Sequence, residues 1–258
     1  MFDYTVTIVA YRNYEDIRKA VASLDKYTAP HIEKKIYIVD NSDLADGDTD
    51  KDHFIRDMSE YPFVEYLDMG SNVGFGKANN YVIDRIESSY HVIMNPDILF
   101  IEDSLTKIKE YMDNETMGMC IPRMTDAEGN MQLVYRRDIT LWDMVVRTFL
   151  KKICTKRMAY HTMRDMDYSK PFQVPFGQGS FLVIRTELFK ELKGFDDRFF
   201  MYMEDADLCK RVNQISRLMY YPDTTVVHRW EKGSHKNRKL FKVHMKSMML
   251  YFKKWGFR

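Results

Sequence analysis

The sequence predicts an α/β protein with a mixed, mainly parallel central sheet flanked by helices and a helical elaboration at the C-terminus. Three observations carry that prediction. Short β-branched and apolar runs alternate with segments of helical periodicity in the first part of the chain. Polar residues stand at the carboxyl ends of those runs. The second half then supplies further strands with no internal repeat and no low-complexity linker.

Residues 5–11 (Thr-Val-Thr-Ile-Val-Ala-Tyr) and 36–39 (Ile-Tyr-Ile-Val) read as strands, separated by a helix marked by Ile17, Val21 and Leu24. A third strand at 63–67 leads through a glycine-rich loop to a helix over about 77–87 and a fourth strand at 91–94. Such alternation implies parallel strands with right-handed crossovers, and ligands bind such sheets beyond the carboxyl ends of the strands. Further strands are expected near 117–121, 131–135, 180–184 and 218–227, with helices near 140–150, 203–215 and 237–254. The length suits one main domain over 1–235 and a packed or extending helix over 236–258.

Composition excludes several classes. A hydrophobic fraction of 45%, a charged fraction of 30%, 17 Tyr and 16 Phe describe a folding globular chain. A net charge of +1, from 39 basic and 38 acidic residues, gives no global field for nucleic acid. The odd, scattered Cys120, Cys154 and Cys209 fit neither a disulfide framework nor a thiolate metal site, and suit a reducing compartment. No basic-then-apolar leader is evident, and no apolar run approaches the roughly 20 residues of a membrane span, so a cytoplasmic protein is expected.

Polar signals follow the strands: Tyr11-Arg12-Asn13 after the first, Asp40-Asn41-Ser42 after the second, Asn95-Pro96-Asp97 after the fourth. Each alone reads as a turn or helix cap; three on one sheet edge read as a site. Asn95-Pro96-Asp97 is either a turn or a place where one carboxylate holds a hard cation with phosphates and water. The loop from Gly70 to Asn80 has glycines that permit close backbone approach and a helix start that favours an anion. It follows the third strand, not the first, and lacks the third small residue of a dinucleotide fingerprint.

The richest stretch runs from Gly194 to Val212, where acidic residues precede a helix. At about 100° per residue, Leu208, Cys209, Val212 and Ile215 share a face, and Asp205 projects into that apolar arc. Asp207 falls outside it, able to pair with Arg211, and Glu204 lies at its margin. An inward carboxylate is costly unless used, and desolvation moves it towards the range of a general base; the alternative is a carboxylate stabilised by the helix dipole. His228 ends a strand and matters only beside a metal. Beyond it, Arg229, Lys232, His235 and Lys236 surround Gly233-Ser234 in a loop suited to closing over a diphosphate, or else a solvated basic loop.

Taken together, the opening through Tyr11-Arg12-Asn13, Val39-Asp40-Asn41-Ser42, Asn72 to Asn80, Asn95-Pro96-Asp97, Gly194 through Glu204-Asp205, and His228 resemble glycosyltransferase family 2, of the Rossmann-like GT-A fold, and its rhamnosyltransferase-like branch. The resemblance implies a nucleotide-binding half over 1–115 and an acceptor and catalytic half over 116–235. It implies that Tyr11, Arg12 and Asp40 contact the nucleotide, and that the loop with Asn72, Gly74 and Asn79 lines the donor site. Asp97 and His228 would hold divalent magnesium or manganese, and Asp205 would be the base of an inverting displacement. Asn95 stands where the family's Asp-x-Asp motif has its first carboxylate, so Asn95 and Glu204 rank behind these. The implied substrates are a nucleoside diphosphate sugar, dTDP-L-rhamnose being the branch's donor, and a saccharide or polyprenyl-linked saccharide acceptor.

Residues 141–158 are apolar, then basic, as suits a helix at an anionic membrane surface. Met245, Met248, Met249 and Phe252 in the basic C-terminal stretch read first as a core-packing helix. Two rival classes are a nucleotidyltransferase, for which a Gly-rich, basic phosphate loop after the first strand is missing, and a non-catalytic carbohydrate-binding protein, which needs no Asp97, Asp205 and His228 together.

Overall fold

The computed structural model describes residues 1–43, 48–146, 150, 152–229 and 238–257. β1 (Phe2–Ala10) is buried from Tyr4 to Ala10, the near-continuous burial of a strand covered on both faces. α1 (Tyr14–Tyr27) covers it with Ile17, Ala20, Val21 and Leu24 at helical spacing. β2 (Lys34–Asp40), α2 (Thr49–Ser59) and β3 (Val64–Asp68) follow, α2 being capped by the Asp48 carboxylate, which accepts from Asp50 N and Lys51 N. α3 (Phe75–Asn80), β4 (Ser88–Met94), β5 (Ile98–Phe100), α4 (Ser104–Asn114) and β6 (Met119–Thr125) complete the first half. The second contains β7 (Tyr135–Arg136), α5 (Leu141–Val145), α6 (Thr155–His161), β8 (Phe172–Gln173), β9 (Phe176–Gly177), β10 (Phe181–Arg185), α7 (Thr186–Glu191), α8 (Glu204–Ile215), β11 (Leu218–His228) and α9 (Arg238–Trp255).

The main sheet runs β3-β2-β1-β4-β10-β6-β11-β5, with β8 on β11. β3, β2, β1 and β4 are mutually parallel. β10 then inserts antiparallel between β4 and β6, pairing Phe181 with Met94 and Val183 with Cys120. This brings the start of β10 beside the carboxyl end of β4. β11 runs parallel to β6 and antiparallel to the short β5, with His228 opposite Ile98.

The structure differs from expectation in places with physical causes. The helix expected over 77–87 ends at Asn80, whose side chain is drawn to Phe195 N and O, and only a 3-10 turn at Ile83–Arg85 follows. The strand expected at 131–135 shrinks to β7 and a bridge between Thr125 and Met131, because Gln132 turns towards β11. α2 has no counterpart in the sequence reading because it buries only Phe54 and Met58. The helix expected over 140–150 is described as α5, and residues 147–149 lie outside the described residues.

Gly74 shows how tightly the loop before α3 is held. It has φ +92°, and a Cβ built there would lie 2.2 Å from the Phe200 carbonyl oxygen, which accepts from Phe75 N at 2.9 Å. Gly74→Ala is therefore expected to destabilise by roughly 2 kcal/mol or more in urea unfolding, combining backbone strain with the clash. Gly129→Ala, at φ +82° with open space around it, is the control for strain alone and should cost about 1 kcal/mol. Equal losses would show that the approach of Phe200 is unimportant.

Candidate active site

The carboxyl ends of β1 and β2 are tied together: Asn41 N donates to Ala10 O at 2.9 Å and Arg12 N to Ser42 Oγ at 3.0 Å. Tyr11 and Arg12 lie at the surface there, Arg12 at φ +59° and paired with Asp43 at 2.7 Å. Asp43 is held below the usual carboxylate range by a backbone N–H first and by the Arg12 guanidinium second. Asp40 is placed differently from a group facing a ligand. It is fully buried, and its carboxylate accepts from Tyr14 OH at 2.6 Å, Tyr66 OH at 2.5 Å and Ser42 N at 2.9 Å. Burial, then the bond to Asp40, pushes both phenols far above their ordinary range.

In the loop from Gly70 to Asn80, Val73 N donates to Asn41 Oδ1, Gly74 N to Asn72 Oδ1, and Phe75 N to Phe200 O, so three of its amides serve the protein's own structure. Asn41 Nδ2 also donates to Asn72 Oδ1 at 3.1 Å, which docks the loop on β2. Asn79 is 1% exposed; its amide donates to Phe75 O, and its Oδ1 has no partner among the described residues. Asn72 and Gly74 thus shape one wall, while Asn79 lies beneath the surface.

At the other wall, the ends of β4 and β11 and the start of α8 carry Asn95, Asp97, His228 and Asp205, connected by backbone hydrogen bonds through the start of β10 and by one close carboxylate–imidazole contact. Asn95 N donates to Ser180 O at 2.8 Å, and the neighbouring Gly179 N donates to Asp205 Oδ2 at 3.0 Å. The Gly179-Ser180 step therefore links the Asn95-Pro96-Asp97 turn to the start of α8. Arg229 N donates to Asp97 O at 2.9 Å, and His228 Nε2 lies 3.4 Å from Asp97 Oδ2.

Gln132, absent from the residues singled out by sequence, fixes that histidine. Its Nε2 donates to His228 O at 2.8 Å, so its Oε1 is the atom 2.8 Å from His228 Nδ1 and accepts the proton there. The ring nitrogen left facing the Asp97 carboxylate is Nε2, which offers a lone pair whenever the imidazole is neutral, and Asp97 Oδ1 is buried with no partner among the described residues. Two acceptors facing each other suit a cation between them, and an outer hydrogen bond on the far nitrogen is the usual setting of a metal-binding histidine. The donor set, one carboxylate and one imidazole, fits a divalent ion that takes its remaining ligands from a diphosphate and water. Among the described residues no group of three or more His, Cys, Asp or Glu could hold a metal unaided.

The acidic start of α8 departs from the helical wheel. Asp205 is half-buried and fixed by two backbone donors, Gly179 N to Oδ2 and Ala206 N at 2.8 Å to Oδ1. Asp207, expected outside the apolar arc, is fully buried, because α9 covers that face: Arg211 Nε, Lys254 Nζ and Trp255 Nε1 all reach its carboxylate within 2.7–2.8 Å. The pair with Arg211 is as expected. Ile215 is 56% exposed, so the arc stops at Val212. Glu204 is buried, and its Oε2 has no partner among the described residues; burial first and the charge of Asp205 second push its carboxyl well above the ordinary range. The preceding Tyr202 and Met203, at φ +70° and +69°, are held in the left-handed region, a strain typical of functional turns. Lys236 and its loop lie outside the described residues.

The mixed sheet, parallel from β3 to β4 with the antiparallel β10 inserted beside β4, is the sheet of the GT-A fold found in solved glycosyltransferases. The crystal structure of GalNAc-T7 with UDP, GalNAc and Mn2+ superposes with a TM-score of 0.69 at 16% identity, covering 92% of this chain and 45% of that one. The mannosyltransferase PcManGT from Pyrobaculum calidifontis, in complex with GDP-Man and Mn2+, superposes at 0.66 and 16% identity, covering 98% and 64%. These likenesses establish the fold. The chain belongs to glycosyl transferase family 2, whose model matches residues 5–193. Its relatives place it in the rhamnosyltransferase-like branch. Rhamnosyltransferase WbbL of Escherichia coli (strain K12) is 27% identical over 262 residues, 95% of this chain and 91% of that protein. The N-acetylglucosaminyl-diphospho-decaprenol L-rhamnosyltransferase of Mycobacterium tuberculosis is 27% identical over 186 residues, 66% of this chain but only 60% of that one.

Glu204 gives a pH test. Because its folded pKa is raised above the ordinary 4.5, its contribution favours the folded state below that pH and is lost as pH rises towards the folded value. Glu204→Gln should therefore gain stability relative to the parent protein as unfolding is measured from about pH 4 to about pH 8. A difference that stays constant with pH would mean that Glu204 is not held protonated.

Proposed function

We propose that the protein is an inverting, divalent-metal-dependent glycosyltransferase that moves a sugar from a nucleoside diphosphate to an acceptor hydroxyl, with Asp205 as the base. The observation that carries this reading is the Gly179-Ser180 step, which ties Asp205 to the turn bearing Asp97. It supports a base and a diphosphate site built as one unit.

In the proposed reaction Tyr11 and Arg12 bind the nucleotide, while Asp40 acts indirectly by ordering Ser42, which in turn holds Arg12 N. Asn72 and Gly74 shape the donor wall. Asp97 and His228 hold a magnesium or manganese ion, with Gln132 fixing the imidazole and Asn95 contributing at most through its side chain. The ion, when bound, offsets the charge that grows on the departing diphosphate. Asp205 takes the proton of the acceptor hydroxyl, the oxygen attacks the anomeric carbon, and the bond to the diphosphate breaks on the opposite face with its electron pair going to the leaving oxygen. Inversion follows. Lys236, which lies outside the described residues, is assigned to the diphosphate on the basic sequence around Gly233-Ser234.

The sugar we assign to the donor is L-rhamnose, on the names of the Escherichia coli and Mycobacterium tuberculosis relatives, and the nucleotide we assign is dTDP, which the family resemblance implies. The acceptor we assign is a saccharide or polyprenyl-linked saccharide of a cell-surface polysaccharide, because the mycobacterial relative is named for a decaprenol-linked one. Screening nucleotide sugars by thermal stabilisation with manganese or magnesium tests the donor, since a ligand of the folded state raises apparent stability according to its affinity. With the stabilising donor, Asp205→Asn should lower turnover by roughly two or more orders of magnitude while leaving donor affinity within a few-fold. Near-normal turnover removes Asp205 from the role of base, and a screen without any stabilising nucleotide sugar contradicts the function itself.

A further inference from the structure

α9 has an inner and an outer face of different chemistry. On the inner face Met248, Tyr251 and Phe252 are buried with Phe199, Met203 and Ala206. Ser247 Oγ donates to Met201 O at 2.8 Å, Tyr202 stacks on His244, and Lys254 and Trp255 reach Asp207. The helix is thus fastened to the strained turn and helix start that carry Asp205.

The outer face has none of these partners. Phe241, Met245 and Met249, at 60%, 38% and 54% exposure, recur every four residues and form one apolar stripe. Lys242, Lys246 and Lys253 are exposed along one side of it, and none makes an ion pair with a described residue. From Lys232 to Arg258 the sequence has nine Lys or Arg and no Asp or Glu. An ordinary solvated helix face carries opposite charges at i,i+4, and this one carries none. α5 adds a second exposed group, Trp142 at 54%, two residues before Met144, which packs in the same cluster as Met248.

From this we infer that α9 is a peripheral docking surface for an anionic lipid bilayer, with the stripe in the acyl boundary and the lysines at the headgroups. Apolar residues edged by unpaired lysines match that surface in both polarity and charge. A second copy of the chain is disfavoured as the occupant, since a two-fold contact would set the same lysines against each other. No helix of the described residues is long and apolar enough to cross a membrane, so the contact is interfacial. Docking would hold the segment from Met201 to Asp207 one helix away from the bilayer. The inference stands on the geometry of α9 and does not depend on the proposed reaction.

Flotation of the full chain with vesicles tests it without donor or acceptor. Vesicles of phosphatidylglycerol with phosphatidylcholine should carry the protein up the gradient, and pure phosphatidylcholine should not. Replacing Phe241, Met245 and Met249 together with serine should abolish flotation, and Lys242→Glu with Lys246→Glu should weaken it by at least about tenfold. Unchanged circular dichroism and melting show that the variants are folded, as exposed positions allow; the lysine pair alone decides the matter if the serine variant unfolds. Failure of the parent protein to float with the anionic vesicles overturns the proposal. So does flotation undiminished by the lysine pair, or a dimer in light scattering that the serine variant dissolves while lipid binding is absent.

Discussion

The architecture of the candidate site depends on one insertion: β10 entering antiparallel between β4 and β6. The register that pairs Phe181 with Met94 sets Gly179 and Ser180 at the carboxyl end of β4. From there Ser180 O holds the Asn95 turn and Gly179 N holds the Asp205 carboxylate. The backbone of two adjacent residues thus fixes the spacing between the diphosphate end and the base end of the proposed reaction. Backbone groups, here one donor and one acceptor, are well suited to this because they bring no rotamer freedom of their own. In the proposed reaction the parallel half of the sheet would supply the nucleotide end, and the antiparallel strand would join it to the acceptor end.

Electrostatics divides the carboxylates at the start of α8 into separate tasks. Asp207 is neutralised by Arg211 and Lys254 and serves to dock α9. Lys254 also reaches Asp196, whose carboxyl is held far below its ordinary range by Arg198 first and by Lys254 as well. Glu204, buried beside Asp205 with no cation on it, is pushed the other way and tends to keep its proton. Asp205 remains the half-buried member, oriented by two amides.

Much of the fold was legible because buried parallel strands are near-continuous apolar runs, as in Thr5–Ala10 and Ile36–Val39, and their polar ends mark a ligand edge. The direction of β10 was not legible, since Phe181–Arg185 reads as a strand whichever way it runs. The wheel singles out Asp205 as the inward carboxylate and pairs Asp207 with Arg211, yet Asp205 is half-buried while Glu204 and Asp207 are buried, because the wheel counts only the face that α8 presents to its own apolar arc and α9, far along the chain, buries a second face. Gln132 sits in a polar stretch, and its meaning appears only through a contact 96 residues away. The way the glycine loop is held is illegible for a related reason: three of its amides are taken by Asn41, Asn72 and Phe200, which no local pattern reports.

The central claim is that Asp97 and His228, aligned by Gln132, hold a divalent ion with a nucleoside diphosphate beside Asp205. Titrating Mn2+ by electron paramagnetic resonance, with and without dTDP, tests it most directly. The account predicts weak binding by the protein alone, much tighter binding with dTDP, and a loss of about tenfold or more in Asp97→Ala and in Gln132→Met, with Asp205→Asn close to the parent. Manganese binding that is indifferent to dTDP, or unchanged in Asp97→Ala, would contradict it.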